Sequence, residues 1–397
     1  MPATTRAYDV VVLGATGYSG RKVCIHLAKV ADKYKWAIAG RDPKKLEALT
    51  KDLSLGPEVG VLVADTSNSV ALDALCSNTT VVIACAGPFD RVGLPVVDAC
   101  VRNKTHYCDI TGEFQFFRKV IEKYDTVAAQ DKVMLVPCCG FDCVPSDLGN
   151  WLVHESAKAQ NLDIKSVVGY FQGSGSPSGG TMASFANLFE TIERKDFSPS
   201  SLNPTNAPKV PTPRTTWISY AKDIGRWAGP YIMSGINERV VRRSNALNNK
   251  VASYVEASVG SLPSVVTGTL GLILFGVLIG TAPLRSLLVR YVFPAPGTGP
   301  SDEQLKSGFF KATFVGKTAT GERVDVLVKD SRDAYTATGV FAASCGLVAA
   351  DLARRNAVTT GGVLTSSSAF GTDLVDRLRE AGMTFELLSK DSNKKRN

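Results

Sequence analysis

The chain has 397 residues, 44% hydrophobic and 21% charged, a globular composition of two to three domains' length that excludes disorder, collagen and coiled coil. At this length roughly three quarters of the unfolded surface can be buried, so the cysteines need not form a disulfide framework. The net charge of +8 is concentrated in Arg239, Arg242, Arg243 and Lys250 and in the tail residues Lys390, Lys394, Lys395 and Arg396. No aromatic interleaving or motif accompanies that charge, so no nucleic-acid partner is expected. The opening MPATTRAYDV has neither the apolar stretch of a secretory signal nor an Arg- and Ser-rich lead, so a cytosolic, reducing compartment is expected.

The first 150 residues alternate β-branched runs with helical patterns, the signature of parallel strands joined by crossover helices. Strands are expected at Asp9–Leu13, Lys35–Ala39, Val61–Ala64, Thr80–Ala84, Thr105–Ile110 and Val133–Pro137. Helices are expected at Tyr18–Val30, Pro43–Leu53, near Val70–Cys76 and Leu94–Asn103, and at Glu113–Asp131. The fold class is therefore α/β, with an N-terminal doubly wound parallel sheet over residues 1–150. Residues 151–334 form a second, α+β domain for substrate or dimerisation. It has a strand at Lys165–Gln172, an exposed loop at Ser198–Thr215, and a hairpin of Gly308–Val315 with Arg323–Lys329 around Gly321. Residues 335–397 return as helices at Thr338–Arg355 and Leu374–Ala381 that pack on the first domain, with a polar tail at 391–397.

The first strand runs into Gly14-Ala-Thr-Gly17-Tyr-Ser-Gly20 and then a helix. Glycines at these places let the chain turn sharply, let backbone N–H groups approach a pyrophosphate, and let helix and strand pack closely. The helix N-terminus then faces the phosphates. The bland alternative is a glycine-rich turn with no ligand. The second strand ends in Ala39-Gly40-Arg41, where NAD-specific proteins place an acid for the ribose hydroxyls. Arg41 instead offers a planar cation for a 2′-phosphate, with Lys44 as a second charge, so NADP(H) is expected. Asp42 complicates this reading or simply opens the next helix. Asp65, after the third strand, is expected near the adenine, and Gly87-Pro88, after the fourth, near the nicotinamide.

Short-chain dehydrogenases use Tyr-x-x-x-Lys; the chain's one such spacing, Tyr18 with Lys22, lies inside the phosphate turn and cannot also be a catalytic dyad. Cys138, Cys139 and Cys143 have no Cys-x-x-Cys spacing and no histidine at ligand-like spacing, so no metal is expected. A nucleophilic cysteine would want a partner histidine; small apolar fillers are the simpler reading. Two polar stretches follow the fifth and sixth strands, Asp109-Ile-Thr-Gly-Glu113 and Asp142-Cys-Val-Pro-Ser-Asp147. Carboxylates there are candidates for substrate binding or proton exchange, or are helix caps. Tyr107, Glu113 and Asp142 are the catalytic candidates. The stretch Gly173–Thr181 offers backbone N–H groups to a substrate or is a flexible link.

In this order, GATGYSG at 14–20, AGRD at 39–42, ACAGPF at 84–89, YCDITGE at 107–113, CGFDCVPSDLG at 139–149, SGGTMAS at 178–184, PGTGPS at 296–301 and GGVLTSSSAFG at 361–371 resemble the saccharopine dehydrogenase-like oxidoreductases. That branch includes trans-acting enoyl reductases and membrane- or lipid-droplet-associated eukaryotic members. The resemblance covers nearly the whole chain. It implies an NADP-binding Rossmann domain, an inserted α+β domain and hydride transfer. It puts the cofactor loop on Gly14, Thr16, Gly17, Tyr18, Ser19 and Gly20, with Arg41 for the phosphate, and transfers no catalytic side chain. The sequence departs from relatives by Cys143 where Ser is common, and by Ser366–Ser368 where Thr-Pro is usual.

One segment breaks the globular pattern. Ser264–Ala282 has eleven apolar residues and four glycines among nineteen, inside an uncharged window from Ala257 to Leu284. As a helix it would be about 28 Å long, close to a bilayer's hydrocarbon thickness of roughly 30 Å. With basic residues on both sides, a surface-lying anchor on a membrane or lipid droplet keeps the Rossmann domain cytosolic. A buried helix, a homodimer interface or a true span are the alternatives. The expectation is an NADP(H)-dependent reductase of a lipid-like enoyl or acyl substrate on the cytoplasmic face of a membrane or lipid droplet. Its rivals are a non-catalytic NADP(H)-binding scaffold and a soluble amino-acid dehydrogenase.

Overall fold

The computed structural model describes residues 6–174, 178–213, 217–295 and 297–389. The polar tail expected at 391–397, residues 175–177 of the glycine-rich stretch and Pro296 lie outside the described residues. In chain order the first part runs β1 (Tyr8–Leu13), α1 (Tyr18–Val30), β2 (Trp36–Gly40), α2 (Pro43–Asp52), β3 (Gly60–Val63), α3 (Ser69–Ser77), β4 (Thr79–Ala84), α4 (Phe89–Arg102), β5 (His106–Asp109), α5 (Phe114–Gln130), β6 (Met134–Val136) and α6 (Val144–Lys158). Strands β1, β2, β4, β5 and β6 are buried along almost their whole length. That explains their β-branched, non-alternating sequences, as in any parallel sheet covered on both faces.

The second part runs β7 (Ile164–Ser174), α7 (Gly179–Thr191), β8 (Ser219–Ala221), β9 (Arg226–Gly229), α8 (Ser234–Leu247), β10 (Ser253–Gly260), α9 (Leu262–Gly280), α10 (Ala282–Tyr291), α11 (Asp302–Leu305), β11 (Phe309–Thr318) and β12 (Arg323–Asp330). The chain closes with α12 (Ala334–Arg354), β13 (Gly362–Val363), α13 (Ser366–Glu380) and β14 (Thr384–Leu387).

Two seven-stranded sheets result. The first is parallel, in the order β13-β6-β5-β4-β1-β2-β3; the second is mixed, in the order β14-β12-β11-β7-β10-β9-β8. The α/β fold class is as the sequence implied. The C-terminal segment divides between the sheets: α12 packs on α1 and behind β4, β13 extends the first sheet beside β6, and β14 pairs with β12 of the second.

Three elements differ from the sequence expectation. Helix α4 runs through Pro95 and begins at Phe89 rather than near Leu94, where its first N–H groups find a carboxylate acceptor in Glu113. Helix α6 occupies the polar stretch after Asp142. The apolar segment expected at Ser264–Ala282 is one helix, α9, which begins two residues earlier and breaks at Thr281, and a second helix, α10, follows it directly.

The domains are joined by buried polar groups. Arg243 of α8 is fully buried; its guanidinium donates to the Val363 carbonyl (3.1 and 2.5 Å) and the Leu202 carbonyl (2.5 Å), and lies 3.5 Å from Asp125. Burial pushes this guanidinium down to about 10. Asp147 of α6 accepts from the hydroxyls of Ser366 (2.7 Å) and Ser367 (2.8 Å), the Ser367 N–H (2.7 Å) and the Ser244 hydroxyl. It is therefore a structural hub joining α6, α8 and α13, not a group facing a ligand. Arg243→Leu strands two buried carbonyls and is expected to cost about 3–5 kcal/mol in denaturant unfolding, with Arg243→Lys recovering little because one ammonium cannot span the same acceptors.

Candidate active site

A cavity of about 600 Å³ runs along the carboxyl ends of the first sheet. The strand order β2-β1-β4-β5-β6 places, in sequence along it, Arg41, the Gly14–Ser19 loop, Gly87 with Pro88, Gly112 and finally Asp142. The opposite wall comes from the second domain: Ser184, Phe185 and Leu188 of α7, and Ile232, Met233 and Ile236 at the start of α8.

At the phosphate end, Gly14 turns with φ of +84°, a conformation open to glycine, and a Cβ there would come within 2.7 Å of the Ala86 nitrogen. A Cβ on Gly20 would collide with the Gly14 carbonyl, so helix and strand can approach this closely only as Gly. Gly17 caps α1 without a side-chain acceptor, which leaves the first-turn N–H groups directed at the cavity. Thr16, Gly17, Tyr18 and Ser19 line it. The Tyr18 hydroxyl also donates to the Pro300 carbonyl (2.8 Å), and its ring meets Tyr335 edge-on, holding a second-domain segment against the loop.

Arg41 is exposed on the cavity rim, and its guanidinium makes no hydrogen bond or ion pair among the described residues. The second rim cation is Lys45, not Lys44. One residue of helix rotates a side chain by about 100°, and no composition signal separates these two lysines. Asp42 caps α2, accepting from the Lys44 and Lys45 N–H groups. Asp65 does not line the cavity. It accepts from the N–H and hydroxyl of Ser67, which hold its carboxyl below the usual range, and Thr66 reaches the cavity instead.

The three catalytic candidates separate. Tyr107 is fully buried and donates to Asp109 (2.8 Å), so it does not reach the cavity; burial first, then Asp109, pushes its phenol well up. Asp109 also accepts from the N–H groups of Thr111 (2.9 Å) and Cys138 (3.0 Å), yet burial raises its carboxyl to about 7. Glu113 accepts from Phe89 N–H (2.8 Å), Asp90 N–H (3.1 Å), the Ser184 hydroxyl (2.9 Å) and the Asn187 amide (3.1 Å). With every lone pair engaged, it fixes α7 across the start of α4. Burial still raises its carboxyl.

Asp142 alone of the three lines the cavity. It accepts no hydrogen bond from a described residue, and burial raises its carboxyl to about 6. The sequence reading missed a further raised carboxyl. Glu256 of β10 accepts from Tyr254 (2.6 Å) and Asn237 (3.0 Å) and is raised by burial to about 7. Burial, then Glu256 and Asp142, push the Tyr231 phenol well up. Cys138, Cys139 and Cys143 are buried, with thiols raised chiefly by burial, the opposite of a nucleophile's environment.

Residues 10–136 match the saccharopine dehydrogenase NADP binding domain. Over 97% of this chain and 99% of its own length, a Mycobacterium tuberculosis protein that provisionally carries the trans-acting enoyl reductase name is 34% identical. A trans-acting enoyl reductase of Mycobacterium bovis is 32% identical over 96% of this chain and 98% of its own. The chain belongs to the saccharopine dehydrogenase-like oxidoreductase family. Apo saccharopine dehydrogenase (L-Glu forming) of Saccharomyces cerevisiae shares the fold, with a TM-score of 0.58, 12% identity and coverage of 96% of this chain and 100% of that one. Homospermidine synthase of Legionella pneumophila, in complex with NAD, follows at 0.54 and 11%, covering 96% and 91%.

The protein is thus an NADP-dependent oxidoreductase, and the cradle fits its cofactor. The uncapped α1 N-terminus and the two glycines would hold the pyrophosphate, Arg41 and Lys45 the 2′-phosphate, and the region of Gly87 and Pro88 the nicotinamide end. Arg41→Ala and Lys45→Ala should each weaken NADPH binding about tenfold, the scale of a lost charge-assisted hydrogen bond, and change NADH binding little; cofactor fluorescence titration measures both.

Proposed function

We propose that this protein reduces the double bond of an α,β-unsaturated acyl substrate with a long apolar chain, at a membrane or lipid-droplet surface. The observation that carries the reading is the position of Phe185. Its ring lines the cavity and meets Phe275 of the apolar helix α9 edge-on, with centroids 5.9 Å apart. One layer of side chains therefore separates the cavity from the most apolar surface of the molecule. Helix α9 is 17% buried, whereas α12, also long and apolar enough to cross a membrane, is 78% buried. Leu270, Leu274 and Val277 of α9 and Leu287, Val289 and Tyr291 of α10 are all exposed. A monolayer or bilayer surface would cover them, and would supply an acyl chain beside the cavity.

NADPH, when bound, supplies a hydride. The chain's own contributions are the apolar wall of Phe185, Leu188, Ile232, Met233 and Ile236, which accepts the acyl chain and excludes water, and Asp142, which supplies the proton. With its carboxyl near 6, Asp142 retains the proton on about a tenth of molecules at pH 7. The charged side chains lining the cavity among the described residues are Arg41, Asp42, Lys45 and Asp142. No cation on the second-domain wall awaits an amino-acid carboxylate, which counts against a saccharopine-type substrate. An open cavity beyond the nicotinamide end counts against a non-catalytic scaffold.

Asp142→Asn should lower kcat by about 10²–10⁴ while leaving NADPH affinity intact. In the wild type, kcat/KM with an enoyl thioester falls as pH rises through about 6, and this limb disappears in the variant. The folded-state value is raised, so the carboxyl's contribution to stability is present below its unfolded value and lost as pH rises through about 6. Asp142→Asn should consequently melt no lower than wild type at alkaline pH, which separates lost chemistry from lost fold. Replacing both Leu274 and Val277 by Glu should abolish flotation with phosphatidylcholine vesicles and leave cofactor binding in solution unchanged; equal flotation of wild type and variant would sink the surface reading.

A further inference from the structure

We infer that the outer face of the second sheet carries a site for the headgroup of an anionic phospholipid, at the root of α9. The inference rests on the lipid-surface reading above and deepens it by naming the lipid chemistry.

A second cavity, of about 430 Å³, lies on this face, away from the active site. Its floor is built by strand alternation. On β7 and β11, Gln172 pairs with Lys311 and Tyr170 with Thr313, and all four line the cavity. Their neighbours Phe171, Ala312 and Phe314 point the other way into the main core. The side wall is the β8–β9 hairpin, where Tyr220 and Trp227 are register partners with rings edge-on at 5.6 Å. Beside them Arg226 is exposed and lines the cavity; its guanidinium has no ion pair or hydrogen bond among the described residues. Lys311 adds a second positive charge. Asp223, reached by the Tyr170 hydroxyl at 3.5 Å, is already neutralised by Lys317 and Arg323.

An aromatic-walled hollow with two cations suits a phosphate ester. A guanidinium forks two phosphate oxygens, and the ring edges and hydroxyls meet the glycerol end. The rim identifies the source of that phosphate. Gly260 and Ser261 line the cavity, and Ser261 caps the first turn of α9. Val265 of that turn rests on Gly229, where a Cβ would come within 2.6 Å of its side chain, so the apolar helix leaves the sheet from the cavity's edge. Exposed Trp217, Tyr220 and Leu262 flank this point, the residue types that settle at the level of lipid headgroups. A surface that covers α9 therefore brings its headgroups to Arg226.

The test is flotation of the full-length protein with vesicles of phosphatidylcholine alone and of phosphatidylcholine doped with phosphatidic acid. Wild type should bind the doped vesicles more tightly. Arg226→Gln should lower that affinity about five-fold, the effect of one basic residue at an anionic surface, while binding to phosphatidylcholine alone and NADPH fluorescence stay unchanged. Arg226→Lys should restore part of the loss. Equal binding of Arg226→Gln and wild type to doped vesicles overturns the headgroup site and leaves the surface reading standing. Displacement from doped vesicles by millimolar inorganic phosphate, with equal loss from neutral salt excluded, also overturns it in favour of a soluble phosphate. Failure of wild type to bind either vesicle overturns the surface reading and this inference together.

Discussion

The cavity depends on two charged groups that have no access to water. One of its walls belongs to the parallel sheet and the other to the inserted domain, so it has a defined width only if the domains cannot slide. Helix α8 carries both jobs: Ile236 at its start faces the cavity, while Arg243 and Ser244 near its end grip the Val363 carbonyl and Asp147. Burying an ion costs several kcal/mol unless its hydrogen-bonding capacity is met. Here that cost fixes position, because Arg243 and Asp147 are satisfied only when β13, α13 and α8 sit in register. Arg118 and Asp196, paired at 2.5 Å and both buried, repeat the device at the start of the long connection after α7.

The same accounting of donors sorts the carboxylates by role. Asp147, Glu113 and Asp109 each accept several hydrogen bonds and act as ties between elements. Asp142 is only partly buried and has none of their donors, and its carboxyl is raised by desolvation alone. An acid held without partners beside an open cavity is costly to the fold, and natural structures keep such groups where chemistry uses them. Glu256 of β10, by contrast, is raised to about 7 although Tyr254 and Asn237 donate to it.

What the sequence made legible follows from local physics. The parallel strands are buried on both faces and read as β-branched runs, and the first loop needs glycine at positions fixed by sterics, so both can be recognised without a structure. The ambiguities come from information that no local pattern carries. Tyr107 and Asp109 lie two residues apart on β5 and bury together, but a strand end alone does not say which face is core. Glu113 reads as a crevice acid until α4 and α7 bring four donors to it from distant positions. Strand β13 is two residues long and has no signal of its own; it exists because Asp125 and Arg243 satisfy the Val363 N–H and carbonyl. The strand β14 lies after a helix that covers the first sheet, yet pairs in the second, a choice made by tertiary register with β12.

The apolar helices carry this argument furthest. Both α9 and α12 are long and apolar enough to cross a membrane, and α9 is the more apolar of the two. The folded chain treats them oppositely: α12 slots between α1 and the sheet, while α9 keeps Leu270, Leu274 and Val277 in the open. Each such side chain forgoes roughly 1.5–3 kcal/mol relative to burial, a sum comparable to the whole stability of an ordinary domain. Among the described residues no second layer of protein covers them, and helix α7 meets the edge of α9 through Phe185 and Phe275. On the lipid-surface reading the deficit disappears, since a hydrocarbon phase solvates the exposed face as a core would. The bend at Thr281 then gains a purpose: a broken pair of helices can lie flat on a surface with both ends on one side, which a straight nineteen-residue helix crossing a bilayer cannot do.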